Sequence, residues 1–302
     1  MAEKTGIAWC DSTFSPWEGC SQISLACDNC FAKARNARFG GGTAPNWGPG
    51  APRRRMSAST WKQPLRWNKH PFVECASCGW RGELRKFSVD DSHGFEHTMC
   101  PHCNGGDYIS TRRRVFCGSL CDVFDNEVEC EWRNDLYSLI LETPNLDWLL
   151  LTKRIGNYQK VFDYAPALPR NVWLGITVCN QEEADRDIPK LLKVPAAKHF
   201  LSIEPMLGPI DLRLMTCAPL WAGDGAYAPA ARTERLGLHW VICGSESGPG
   251  ARRDPNMLTW VRSLRDQCVA ARIPFFWKQD AINGKKIPTP ELDGRTWTEV
   301  PA

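Results

Sequence analysis

The sequence predicts an α/β protein in which a parallel sheet with crossover helices closes into a partial or full (β/α) barrel, with a zinc-ribbon module inserted into it. Three observations lead there. After residue 109, six short apolar runs alternate with amphipathic helical stretches, as parallel strands and crossovers do. Ahead of them lie two CxxC pairs, Cys75/Cys78 and Cys100/Cys103. Ahead of those, Cys20, Cys27 and Cys30 stand at the spacing C-x6-C-x2-C. The chain divides into an N-terminal cluster-binding segment and loop (1–72), the ribbon insert (73–108) and the rest of the barrel (109–302).

The 302 residues are 43% hydrophobic and 24% charged, which is enough for one large core or two domains. A net charge of +3 excludes a polybasic nucleic-acid tail. The triplets Arg53-Arg54-Arg55 and Arg112-Arg113-Arg114 read as solvated faces, with phosphate contact the minority reading. No apolar run can span a bilayer, and the first residues hold no secretory signal, so no membrane association and a cytoplasmic location are expected. There the 15 cysteines stay reduced, and CxxC pairs point to metals rather than disulfides.

Taken in order, Gly6–Trp9 is a short strand candidate, followed by the cysteine loop and a helix-compatible stretch from Phe31. Residues 37–72, rich in Gly, Pro, Arg and Trp, read as a long loop, either lid or linker. Thiolates are soft ligands that suit zinc or iron–sulfur iron. Three of them would hold a [4Fe–4S] cluster with one iron left open. Adding Cys10 gives the alternative of a structural zinc site of four thiolates.

In the insert, each CxxC carries a glycine close behind it, Gly79 and Gly105, as the tight turn of a zinc knuckle requires. Zn2+ on Cys75, Cys78, Cys100 and Cys103 is the expectation. His93, His97 and His102 read as surface residues. The strand candidates that follow are Val115–Gly118, Trp148–Thr152, Val172–Thr177, His199–Ile203, Trp240–Gly244 and Pro274–Lys278. The helix candidates are Glu131–Glu142, Ala184–Leu192 and Met257–Ala270. No GxGxxG or Walker sequence follows the first strand, which counts against a standard nucleotide-binding unit. Five of the six strands end in charged residues, as if they lined one mouth at the C-terminal ends, where barrel chemistry sits. The glycines from Gly244 onward let the backbone approach a ligand.

The segments WEGCSQISLACDNCFA, VFCGSLCDVF, LLLTKR, NVWLGITV, SIEPMLGPIDL, ICGSESGPGARR and PFFWKQ, with the closing LDGRTWTEVP, resemble a phage-associated radical S-adenosylmethionine (SAM)-like family. The commoner motif of radical SAM enzymes is C-x3-C-x2-C, so the first gap is longer here. The resemblance implies a barrel of radical SAM type with a [4Fe–4S] cluster on Cys20, Cys27 and Cys30. SAM on the open iron would be cleaved to a radical that abstracts a hydrogen from substrate. By position, Ser119 and Asp122 would hold the SAM amino group, Lys153 or Arg154 its carboxylate, and Glu204 or Glu246 the ribose. Cys121 and Cys179, nearest the mouth, are candidates to return a hydrogen atom, against a bland reading as packed cysteines. An electron donor is implied. The zinc ribbon, the two arginine triplets and the phage context that the resemblance implies together point to a nucleic-acid base or nucleotide in DNA or RNA as the substrate, in a bacterial host's cytoplasm. The reading from another class is a non-catalytic zinc and iron–sulfur protein that binds nucleic acid or a partner. Oligomeric state is left open.

Overall fold

The computed structural model describes residues 2–90, 96–161, 167–213 and 237–302. Cys217 and His93 lie outside them. Seven strands run parallel and neighbour one another in chain order: β1 (Ser12–Phe14), β2 (Arg113–Cys117), β3 (Leu146–Thr152), β4 (Val172–Thr177), β5 (Lys198–Ile203), β6 (Trp240–Gly244) and β7 (Phe275–Ile282). β8 (Lys285–Pro288) folds back antiparallel on β7. Its two-residue turn is Asn283-Gly284, at φ 51° and 73°. An Asn-Gly pair takes up that mirror-image turn with little strain, and its twist matches the strands it joins. The sheet stays open, with β1 and β8 as its edges, so it is a curled half-barrel rather than a closed one.

Among the described residues, the helices longer than one turn are α1 (Phe31–Phe39), α2 (Ala58–Asn68), α3 (Cys130–Glu142), α4 (Gln181–Leu191) and α5 (Met257–Ala271). α3, α4 and α5 are crossovers. Because every crossover returns the chain to the same edge direction, all seven parallel strands end at one rim.

Side chains alternate along each strand, and both faces are apolar. On the helix side, Trp148, Leu150, Leu174, Val241 and Trp277 share one core with Leu136 of α3 and Val261 of α5. On the other face, Leu149, Trp173, Phe200, Trp240, Ile242 and Phe276 close around Trp9. The Trp9 ring lies 4.7 Å from Phe116 and 6.2 Å from Trp240. Gly175 makes room for this face, since a Cβ there would lie 2.3 Å from the Phe200 ring.

Two expectations are corrected. Gly6–Trp9 is not a strand; it is a turn closed by Cys10 N–H donating to the Ile7 carbonyl, and it delivers Trp9 to the concave face. The strand lies at Ser12–Phe14, where the buried Ser12 hydroxyl is satisfied by the Glu3 carbonyl at 2.5 Å. Residues 37–72 are not loop throughout. Arg54–Arg55 pairs with Trp17–Glu18, and α2 follows behind an N-cap at Ser57. Pro64 inside α2 removes one helical donor and disguises the helix, yet Pro64 and Trp67 form its buried side.

The ribbon is a three-stranded sheet of Phe72–Cys75, Arg81–Glu83 and Tyr108–Thr111, with a small core of Val73, Cys75, Phe87 and Cys100. It is anchored at the rim where the parallel strands begin. Arg81 bonds Asp11 at 3.0 Å just before β1, and Arg113 at the start of β2 bonds Glu83 at 2.6 Å. Among the described residues no helix is long and apolar enough to cross a membrane.

Gly175→Ala forces its methyl into the Phe200 ring. The expected cost is about 1–3 kcal/mol in urea unfolding, partly recovered in Gly175→Ala/Phe200→Leu. An unchanged midpoint would contradict this packing.

Candidate metal and cofactor sites

The ribbon thiols converge. The Sγ atoms of Cys75, Cys78, Cys100 and Cys103 all lie within 4.8 Å of one another, with Cys75–Cys103 at 3.6 Å and Cys78–Cys100 at 3.7 Å. Gly79 at φ 71° and Asn104 at φ 61° close the two knuckles. Gly79 N–H bonds the Cys75 carbonyl, and Asn104 N–H that of Cys100. Burial opposes ionisation of Cys75, but the backbone N–H groups of Cys78 and Ser77, with the Cys103 and Cys100 thiols, lower it below its ordinary value. Four soft ligands at this separation can hold a metal ion such as zinc. His102 contributes its backbone, an N–H donated to Cys100 Sγ at 3.4 Å.

The second group lies at the opposite rim. Gly19, at φ 122°, lets the chain pass where a Cβ would meet the Asn46 carbonyl at 2.6 Å. Cys20 follows. Ser24 then caps the turn Leu25–Cys27, accepting from Ala26 N–H, and Cys30 is the N-cap residue of α1. The three thiols line one cavity together with Ser119, Cys121 and Asp122 after β2 and Lys153 after β3. It holds about 150 Å³, so a larger ligand must extend along the open concave face. Among the described residues only the ribbon thiols gather closely enough for a single ion. Cys10 is not among the loop thiols: it lines a cleft with Asp11 and Arg81 at the ribbon rim, which corrects the four-thiolate zinc alternative.

Several charged residues picked from the sequence as ligands are engaged within the chain. Asp122 accepts from Thr152 Oγ1 at 2.6 Å, Phe124 N–H at 2.9 Å and Lys153 N–H at 2.8 Å, so it joins the ends of β2 and β3. Arg154 donates to the Ser21 carbonyl at 2.8 Å, and its Nη2 lies 3.9 Å from Cys20 Sγ. Burial and then Asp122 push the Cys20 thiol up to about 12, against Arg154. Glu204 pairs with Lys278 at 2.5 Å on the concave side, beside Gly244. Glu246 accepts from Asn29 at 2.8 Å and from Arg252 at 2.7 Å, and Arg252 reaches on to Asp28 at 2.7 Å. Glu246 therefore latches the cysteine loop to the end of β6. Ser119 shares a hydrogen bond with Ser15 at 3.1 Å. The Lys153 ammonium has no carboxylate partner among the described residues.

Of the two candidate thiols, Cys121 lines the cavity, and burial holds it well above its ordinary value. Cys179 does not line it. It is wholly buried, and burial and then Glu183 raise it to about 12.

Sequence reasoning missed the positioning residues. Glu183 accepts from Ser24 Oγ at 2.6 Å and from Cys179 N–H at 2.9 Å, tying the cysteine turn to the end of β4. Arg53 donates to Asp125 at 2.7 Å, to Ser21 Oγ at 2.8 Å and to Glu127 at 3.0 Å, and also to the Gly48 and Ala51 carbonyls. The arginine triplets are thus only partly solvated faces: Arg54, Arg55 and Arg112 are exposed, whereas Arg53, Arg113 and Arg114 are buried. Arg54 pairs with Glu18, Arg55 with Asp135, Arg112 with Asp147 and Arg114 with Asp11. The signal that could have found Arg53 is the acidic pair Asp125/Glu127 following the first core strand.

Residues 4–301 match the family described as Protein of unknown function (DUF5131). The chain belongs to that family. No curated protein and no solved structure matches it.

Three outcomes are expected. Arg53→Met leaves the buried Asp125 carboxylate facing an apolar chain, costs about 3–5 kcal/mol in urea unfolding and opens Cys20 to alkylation in the folded protein. Unaltered stability and labelling would sink the role given to Arg53. Chelation should expose residues 72–111 to protease while the barrel stays resistant; a ribbon equally resistant without metal would contradict the site. Burial raises the Glu246 carboxyl, but Arg252 and Asn29 outweigh it, so its folded value lies below its unfolded one. Its stabilisation is then complete at neutral pH and is lost as pH falls through the folded value. The stability difference from Glu246→Gln should shrink on acidification, and one that grew would contradict the latch.

Proposed function

We propose that this chain is a radical SAM enzyme, with an iron–sulfur cluster on Cys20, Cys27 and Cys30 and zinc in the ribbon. The observation that carries the reading is the single cavity at the C-terminal rim, which the three loop thiols share with Ser119 and Lys153. Thiolates alone suit iron–sulfur iron, and the cavity beside them leaves room for a ligand on an uncommitted iron. When bound, the cluster would supply the one-electron reduction of SAM. The protein's own part is positioning. Lys153 offers a cation for the SAM carboxylate, and Ser119 a hydroxyl for its amine. Asp122, Glu246 and Arg154 hold the rim on which those groups sit. Cys121, held protonated and facing the cavity, is the thiol suited to return a hydrogen atom.

A nucleic-acid base or nucleotide stays the proposed substrate class, carried now only by the phage context that the resemblance implies. The arginine triplets are engaged in ion pairs, and the ribbon stands at the other rim, where it suits anchoring rather than chemistry. A cytoplasmic, reducing setting agrees with free thiols throughout.

One observation favours a second reading. Cys121 is a fourth thiol on the same cavity. If it closes the cluster, no iron is open, and the chain is a non-catalytic iron–sulfur and zinc protein that binds a partner. The test uses anaerobically reconstituted protein with dithionite and SAM. The enzyme reading expects methionine and 5′-deoxyadenosine in equal amounts. It also expects Cys121→Ala to keep its iron and its SAM cleavage, and Lys153→Ala to weaken SAM binding about tenfold. No cleavage by the wild type, with iron lost in Cys121→Ala, would establish the closed cluster instead.

A further inference from the structure

The cysteine loop and α1 carry an exposed surface, of which Ile23 also borders the cavity and the Leu25 carbonyl the latch, while Phe31 and Phe39 belong to neither. Ten large hydrophobic side chains are strongly exposed among the described residues, and four of them fall between residues 23 and 39: Ile23, Leu25, Phe31 and Phe39. Phe31 is 75% exposed and Phe39 73% exposed, and Phe31 directly follows Cys30. Exposed aromatic side chains grouped in this way mark an interaction site rather than ordinary surface.

The charges around them have one sign. α1 has no acidic residue in its first turn and reads FAKARNARF throughout. Of its three cations, Arg35 is committed to Glu18 at 3.1 Å. Lys33 and Arg38 have no carboxylate partner among the described residues, and Arg38 lies over the Phe39 ring at 5.9 Å. Asp28, the one acid in the stretch, is bound by Arg252. Phe31, Ala34 and Arg38 fall on one stripe of the helix, at i, i+3 and i+7.

We infer that this face docks an acidic one-electron carrier protein. The inference rests on the radical SAM reading, which requires such a carrier, and it goes further by assigning the contact surface. An apolar centre with a cationic rim has the composition of a protein–protein contact. Two free cations are few for a nucleic acid, whose interfaces are far more positive. The position fits as well, because Cys27 and Cys30 immediately precede α1 and a carrier on this helix is brought beside them. The carrier gives up one electron, and the group held by those thiols takes it up.

The test uses the anaerobic, cluster-loaded full chain and an acidic flavodoxin as probe. Binding is read by calorimetry at low and at high salt, for wild type, Lys33→Glu/Arg38→Glu and Phe31→Ser/Phe39→Ser. SAM cleavage is then driven either by reduced flavodoxin or by dithionite. Both variants are expected to bind flavodoxin about tenfold more weakly, wild-type binding is expected to fall with salt, and dithionite-driven cleavage should be unchanged. Wild-type flavodoxin affinity retained in both variants overturns the docking face while leaving the enzyme reading intact. Failure of cleavage with dithionite in the wild type overturns the enzyme reading, and this inference with it. Weakened binding of single-stranded DNA, with flavodoxin binding unmoved, would assign the face to nucleic acid and overturn the carrier.

Discussion

One buried guanidinium holds the candidate site together. Arg53 is 2% exposed at its side chain, and all five of its N–H donors find acceptors. Those acceptors come from three places far apart in sequence: the segment 46–51, Ser21 beside Cys20, and Asp125 and Glu127 after β2. A buried charge is tolerated only when paired and fully hydrogen-bonded. The fork of Arg supplies that geometry, and a Lys could not. Gly19 depends on the same contact, since the chain passes within 2.9 Å of the Arg53 side chain where any Cβ would stand. The cysteine loop is therefore fixed onto the ends of the parallel strands before any cluster is considered.

The sheet then decides which groups can work together. All seven parallel strands end at one rim, so loops after β3, β4 and β6 reach the cysteine loop through Arg154, Glu183 and Glu246, and the loop after β2 through the Leu120 carbonyl, which accepts from Gly19 N–H. These carboxylates and this guanidinium are spent on position, which leaves thiols, Ser119 and Lys153 as the free chemistry of the cavity. The ribbon stands at the opposite rim with its own four thiols and its own small core. The separation keeps the two thiol groups from competing for one metal, and it excludes Cys10 from the loop site by the length of a strand.

Much of this was legible in the chain. The strands β2 to β7 show themselves because both faces of the sheet are buried, which makes short, nearly continuous apolar runs such as WLLLT and VWLGIT. The ribbon shows itself because CxxC with a following glycine has few other uses. What was illegible has particular reasons. β1 is three residues long and mostly polar, and only its pairing with β2 makes it a strand. α2 contains a proline and follows a Gly/Pro-rich stretch. The Asn283-Gly284 hairpin carried a strong turn signal that the apolar pattern of β7 overshadowed. At the site, the residues read from the strand ends do stand at the rim, but their bonding was illegible. Asp122 and Glu246 stand where strand-end logic puts ligands, and the letters alone do not show that Thr152 and Arg252 already bond their oxygens.

The measurement that bears most directly on the central claim is the iron, acid-labile sulfide and zinc content of protein purified without oxygen, compared with the Cys20/Cys27/Cys30→Ala variant. The account expects about four irons, about four sulfides and about one zinc per chain, with iron and sulfide lost and zinc retained in the variant. Zinc alone, with no iron taken up even after anaerobic reconstitution, would contradict it.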